Sequence, residues 1–169
     1  MNPVPGVSFG WGARLPVVLQ TAAAECGLAC LAMVSGYHRR SADITELRRS
    51  LSVSLKGINL ETLIDMAGRI GFASRPVRLE LGEMYLLKTP CILHWDLNHF
   101  VVLKSSSRDS LVIHDPAVGL RRMSFAEASR HFTGVALELT PLAGFEPAQP
   151  APRVKWRSLI GHLSACREP

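Results

Sequence analysis

The stretch Gln20-Thr21-Ala22-Ala23-Ala24-Glu25-Cys26-Gly27-Leu28-Ala29-Cys30-Leu31-Ala32-Met33-Val34-Ser35-Gly36 decides how the rest of this 169-residue chain is read. It starts polar, sets Glu25 beside Cys26, then runs from Gly27 to Val34 without a charge or a proline. Such a run predicts a buried helix stopped by Gly36. Cys26 then falls in its first turn, where unpaired backbone N–H groups and the helix dipole favour a thiolate. That position suits a nucleophile. A free cysteine is also commonly just a small buried hydrophobe, and this stretch alone leaves both roles open. Cys30, one turn further along the apolar run, is assigned to packing. Glu25 is expected to cap the helix start or to pair with a cation there.

Outward from this helix, Asp43 and Glu46 make a capping-box pattern that opens a short helix through residues 47–50. Gly57 and Asn59 precede a stronger one, with Leu60, Leu63, Ile64, Ala67 and Ile70 on one face and Gly71 at its end. Beyond Phe72 the period changes. Residues 74–79 read as a strand, and 81–87 as one or two helical turns ending before Pro90. Three β-rich runs follow, at 91–95, 99–103 and 111–115, separated by turns at 96–98 and 105–109. Residues 115–119 make another turn and 120–123 another strand. Ser124 with Glu127 caps a helix ending near His131, and residues 134–140 close the sheet. A helical half followed by an antiparallel meander is an α+β arrangement with two lobes.

A cysteine nucleophile needs a base, a group to orient that base, and donors for the oxyanion. His99 opens a strand directly after a turn, where a side chain can face a cleft. Asp115 ends a neighbouring strand, held extended by Pro116. If those strands pair as a hairpin, the start of one lies opposite the end of the other and the two side chains become neighbours. Gln20, six residues before Cys26, offers a side-chain amide to the same pocket as the Cys26 N–H. His94 competes with His99 for the role of base, but its place in an apolar strand favours a buried ring. Trp95 is either core or the roof of a cleft that passes a narrow substrate. His114 adjoins Asp115, yet strand alternation turns it to the opposite face, out of the site. A zinc site from Cys26, Cys30 and His38 fails on spacing and on a fourth ligand.

The composition narrows the function classes. Of 19 basic residues 15 are arginine, scattered in ones and twos, so a formal charge of +5 comes without the polybasic run of a nucleic-acid groove. The four cysteines, at 26, 30, 91 and 166, form neither a CxxC pair nor a disulfide framework and read as reduced. The start of the chain lacks the pattern of a signal peptide. No apolar run approaches the roughly 18 residues of a membrane span, so the chain is expected to be soluble and cytosolic by itself.

The blocks LQTAAAECGLACLAMVSGYH, KGINLETLIDMAGRIGF, PCILHWDLNHFVVL, HDPAVGLRRMSF and FTGVALELTP together resemble the cysteine peptidase domain at the N-terminus of peptidase-containing ABC transporters, which process double-glycine leader peptides of bacteriocins. The resemblance implies a papain-like fold, with a central cysteine-bearing helix in a helical lobe packed on an antiparallel β-sheet lobe. It implies catalytic Cys26, His99, Asp115 and Gln20, with no metal or cofactor. Trp95 is carried as a substrate-binding candidate. The substrate would be a precursor peptide cut after Gly-Gly, a specificity set by a subsite that rejects side chains. An amphipathic leader helix would bind elsewhere, with the helix of residues 59–70 a candidate groove. The partners would be the membrane and ATP-binding domains of an exporter, on the same or a separate chain, at the cytoplasmic face of the cell membrane. A leader-binding module that does not cut, and a cysteine acyltransferase, are the alternative readings. Three regions are expected: a loose lead-in over 1–14, the peptidase domain over 15–146, and a proline-rich linker and basic amphipathic segment over 147–169. In that last region Trp156, Leu159, Ile160 and Leu163 share a face, which suits contact of residues 153–165 with an anionic membrane surface. The other reading of this segment is a docked helix that completes the domain.

Overall fold

The structure is a computed structural model that describes residues 14–39, 44–51 and 57–143. A 3₁₀ turn, Ala23–Glu25, leads into α1, Cys26–Tyr37, which is followed by α2, Ile44–Leu51, and α3, Leu60–Arg69. Strand β1, Phe72–Arg78, a 3₁₀ helix, Leu81–Leu86, and strands β2, Cys91–Trp95, β3, His99–Ser106, β4, Ser110–Asp115, and β5, Gly119–Ser124, come next. The short helix α4, Phe125–Ala128, and strand β6, Phe132–Pro141, complete the chain order. The expected capping box at Asp43 and the segments before residue 14 and beyond residue 143 lie outside the described residues.

Every residue of α1 from Cys26 to Ser35 is buried. A helix apolar on all sides needs cover on all sides, and α1 receives it from α2, α3 and the middle of β3. Full burial of each large apolar side chain, Leu28, Leu31 and Met33 among them, contributes about 1.5–3 kcal/mol. The expectation that Gly36 stops this helix is corrected. The helix continues to Tyr37 and is capped at His38. Gly36 serves close approach instead, since a Cβ there would lie 2.7 Å from Cγ of Pro16. In α3 the reading holds: the Asn59 side chain accepts from the Thr62 N–H at 2.8 Å, and Gly71 ends the helix at φ 89°.

The six strands form one antiparallel sheet in the order β1-β6-β2-β3-β4-β5. Strands β2 to β5 are the expected meander. Strand β6 does not close the sheet at an edge; it enters between β1 and β2, so β1 and β5 are the edges. Both faces of the sheet are covered. Phe100 and Val102 pack with α1 and α3, while Val101 and Leu103 pack with Met84, Met123 and Ala128 on the other side. This double cover is why β3 reads as a continuous apolar run rather than an alternation. Among the described residues no helix is long and apolar enough to cross a membrane.

Candidate active site

Cys26, the first residue of α1, points to the end of the sheet where β3 begins and β4 ends. It is 2% exposed. Its thiol lies near enough to the ring of His99 to strengthen that ring's hold on a proton, and Nε2 of the ring lies 2.8 Å from Oδ1 of Asp115. Asp115 is buried, and the same oxygen accepts from the Ala117 N–H at 2.9 Å. The β3–β4 ladder ends with Val102 opposite His114, so His99 and Asp115 are not direct cross-strand partners. Their side chains close the diagonal gap.

Burial works against a charge on His99, but its hydrogen bond to Asp115 and the nearby Cys26 thiol, together with the charges of both, outweigh that and raise its pKa from 6.5 to about 9. Burial likewise opposes ionisation of Asp115. The His99 bond, the Ala117 N–H and the charges of His99 and Arg121 prevail there and hold the carboxyl below its ordinary range. Arg121 approaches the second oxygen, Oδ2, at 3.6 Å. A thiol, an imidazole and a carboxylate in this order can hold a thiolate–imidazolium pair, the reactive form for acyl transfer.

Gln20, His99 and Asp115 line one open cleft of about 500 Å³, together with Ala23, Ala24, Gly57, Asp96, Asn98 and Ala117. The Gln20 backbone N–H donates to the Pro116 carbonyl at 2.9 Å, and its side-chain Oε1 is buried without a hydrogen-bond partner among the described residues. The structure therefore brings Cys26, His99, Asp115 and Gln20 to one end of the molecule. Trp95 is the cross-strand partner of His99 but does not line this cleft. It is 1% exposed and stacked on the His131 ring at 5.6 Å, which leaves no surface to roof a cleft; the core alternative applies. His94 bonds Thr133 Oγ1 through Nδ1 at 2.8 Å and packs on Phe100.

The expected structural role of Glu25 is present. One carboxylate oxygen receives Arg48 Nε at 2.6 Å, and the other receives the Thr21 hydroxyl and the N–H groups of Thr21 and Ala22. The Arg48 and Thr21 hydrogen bonds, opposed by burial, lower its pKa to about 2.

Several residues in or beside the cleft escaped the sequence reading. Asp96 and Leu97 both have left-handed backbones, at φ 47° and 63°. The first is fixed by its N–H to the His131 carbonyl at 2.9 Å and its carboxylate to His131 Nδ1 at 2.7 Å. Only folding brings residues 35 apart into that contact. Arg121 did leave a signal, because it is two residues from Gly119, the cross-strand partner of Asp115, and so shares its face.

The sequence pattern of the Peptidase C39 family matches residues 14–143. The colicin V secretion/processing ATP-binding protein CvaB of Escherichia coli is 48% identical over 153 residues, covering 90% of this chain and 22% of its own length. The probable microcin-H47 secretion/processing ATP-binding protein MchF of the same species is 46% identical with the same coverage. The chain thus spans about a fifth of the length of these curated relatives. Among solved structures, a double glycine motif protease from an AMS/PCAT transporter, in complex with the leader peptide, shares 36% identity at a TM-score of 0.71, covering 80% of this chain and 96% of that one. The peptidase domain of Streptococcus ComA shares 27% at a TM-score of 0.70, covering 76% and 99%.

Proposed function

The chain belongs to the peptidase C39 family, and from that premise we propose that it is a cysteine endopeptidase domain that cuts a precursor peptide after a Gly-Gly leader, for export by an ABC transporter. The observation that carries this reading is the His99 ring held between Cys26 and Asp115 at a cleft also lined by Gln20. The Cys26 thiolate attacks the carbonyl carbon of the second glycine. The resulting oxyanion is held by the Cys26 N–H and the Gln20 amide. As the tetrahedral species collapses, the C–N bond breaks and His99 gives its proton to the departing amine, leaving a thioester. His99 then takes a proton from water, the hydroxide attacks the thioester, and the leader leaves as a carboxylic acid with the Cys26 thiolate restored. Asp115 keeps the ring oriented and its charge balanced throughout.

The relatives' roles in secretion and processing support coupling to export; in this reading the domain works beside the membrane and ATP-binding parts of an exporter, on the cytoplasmic side. Incubation with a double-glycine leader peptide, read by mass, tests the proposal. A single cut after the second glycine, absent in Cys26→Ala, is the expected result. An intact but bound peptide would make the chain a binding module, and a mass gain on an added amine would make it an acyltransferase.

A further inference from the structure

His114 is 2% exposed and takes no part in the proposed chemistry. Its Nδ1–H donates to the carbonyl of Pro16 at 2.9 Å, across 98 residues of sequence. That bond makes Nδ1 a protonated nitrogen, and the other, Nε2, is buried without a hydrogen-bond partner among the described residues. A buried polar atom left unpaired costs free energy that an apolar side chain of the same size would not. The tether to Pro16 is what the imidazole offers in return.

Pro16 begins a strap that runs along the domain to Gln20. It is gripped from two sides, by His114 and by the Cβ-free surface of Gly36, against which its ring lies. Four residues later the strap is fixed again, by the Gln20 N–H on the Pro116 carbonyl at 2.9 Å. The two anchors, His114 and Pro116, are the immediate neighbours of Asp115. We propose that His114 is a positioning residue for Gln20. The tripeptide His114-Asp115-Pro116 thereby sets both halves of the site at once, with Asp115 turned to the His99 ring and its neighbours turned to the strap that carries the oxyanion donor. The proposal rests on the peptidase reading and on the role given there to Gln20.

The test is a set of variants assayed at saturating leader peptide. His114→Phe fills the same space without the donor, and should lower kcat about ten- to a hundredfold with KM nearly unchanged, since small misplacements of a reacting group cost factors of this size. His114→Asn, whose side-chain amide can reach the Pro16 carbonyl, should recover most of the rate. Gly36→Ala, which pushes Pro16 from the other side, should act in the same direction without touching His114. In a Gln20→Ala background both His114→Phe and Gly36→Ala should cost little more. Unchanged kcat in His114→Phe, or full additivity with Gln20→Ala, overturns the proposal. If His114→Phe does not fold, the Gly36→Ala pair alone decides. Hydrogen exchange of the Gln20 amide is the activity-independent measure, and protection should fall in His114→Phe and return in His114→Asn; equal protection in all three overturns the tether. A wild-type chain that leaves the peptide whole, or a Gln20→Ala variant that cuts normally, would instead sink the peptidase reading or the role of Gln20, while exchange still reports on the strap.

Discussion

At the scale of single residues, the site depends on one proton shared between a sulfur and a ring. Cys26→Ala should abolish cleavage with little change in melting temperature, because it removes the covalent route but only one buried sulfur. Asp115→Asn should retain more activity than Asp115→Ala. The amide oxygen of asparagine still accepts from His99 Nε2–H and holds the ring, whereas alanine leaves it free; equal loss in both would mean that the carboxylate's charge is what counts. The raised pKa of His99 predicts the direction of the pH dependence. With a folded value of about 9 against an ordinary 6.5, the proton's contribution to stability is complete below about 6.5 and is lost as pH rises through 9. The imidazolium needed for amine departure disappears over the same interval. Both kcat/KM and melting temperature should therefore fall on the alkaline side near pH 9, and activity that is flat to pH 10 would contradict the pairing.

Elements matter here through their ends. The start of α1 is held by Glu25, which folds back on Thr21 and Ala22 and reaches Arg48 on α2. This one carboxylate joins the turn that carries Ala23 and Ala24 into the cleft to a second helix. Glu25→Gln keeps the shape but removes the charge from the Arg48 pair, and should lower the melting temperature by several degrees while cleavage below the transition continues. Because the pKa of Glu25 is depressed from 4.5 to about 2, its contribution is present above about pH 4.5 and is lost as pH falls toward 2. The melting temperatures of wild type and Glu25→Gln should accordingly converge in acid. A constant difference from pH 7 to pH 2 would assign the effect to packing instead.

At the scale of the molecule, the sheet puts its two functional strands where the helix can meet them. Strand β3 lies inside the sheet beneath α1, and β4 borders it, so Cys26, His99 and Asp115 arrive from three elements at one end. The match to the family ends at residue 143, just past β6. Removal of residues 150–169 is predicted to leave peptide cleavage and the melting temperature of the isolated chain unchanged, consistent with a connector toward a membrane domain. A drop of several degrees, or loss of soluble protein, would show that the amphipathic segment completes the fold.

What the sequence determined by itself were the features written in local spacing. The charge-free run after Cys26 meant a buried helix, the Asn59 and Ser124 caps marked helix starts, and the turns at 96–98 and 115–119 separated strands of the expected β-rich runs. The candidate residues Cys26, His99 and Asp115 were legible because a thiol at a helix start and polar side chains at strand ends are local patterns too, and Gln20 because it is a side-chain amide six residues before the cysteine. Tertiary structure alone decided the rest. The insertion of β6 between β1 and β2 depends on which edge is free when the chain returns, and no periodicity encodes that. Trp95 became core because His131 stacks on it, and Gly36 is a contact point rather than a helix stop because Pro16 lies against it. His114, turned away from the site by strand alternation, meets the strap that carries Gln20 only after residues 98 apart have come together. Local sequence can fix a backbone's period and the direction of a side chain, but what that side chain touches is settled when distant segments compete for the same space.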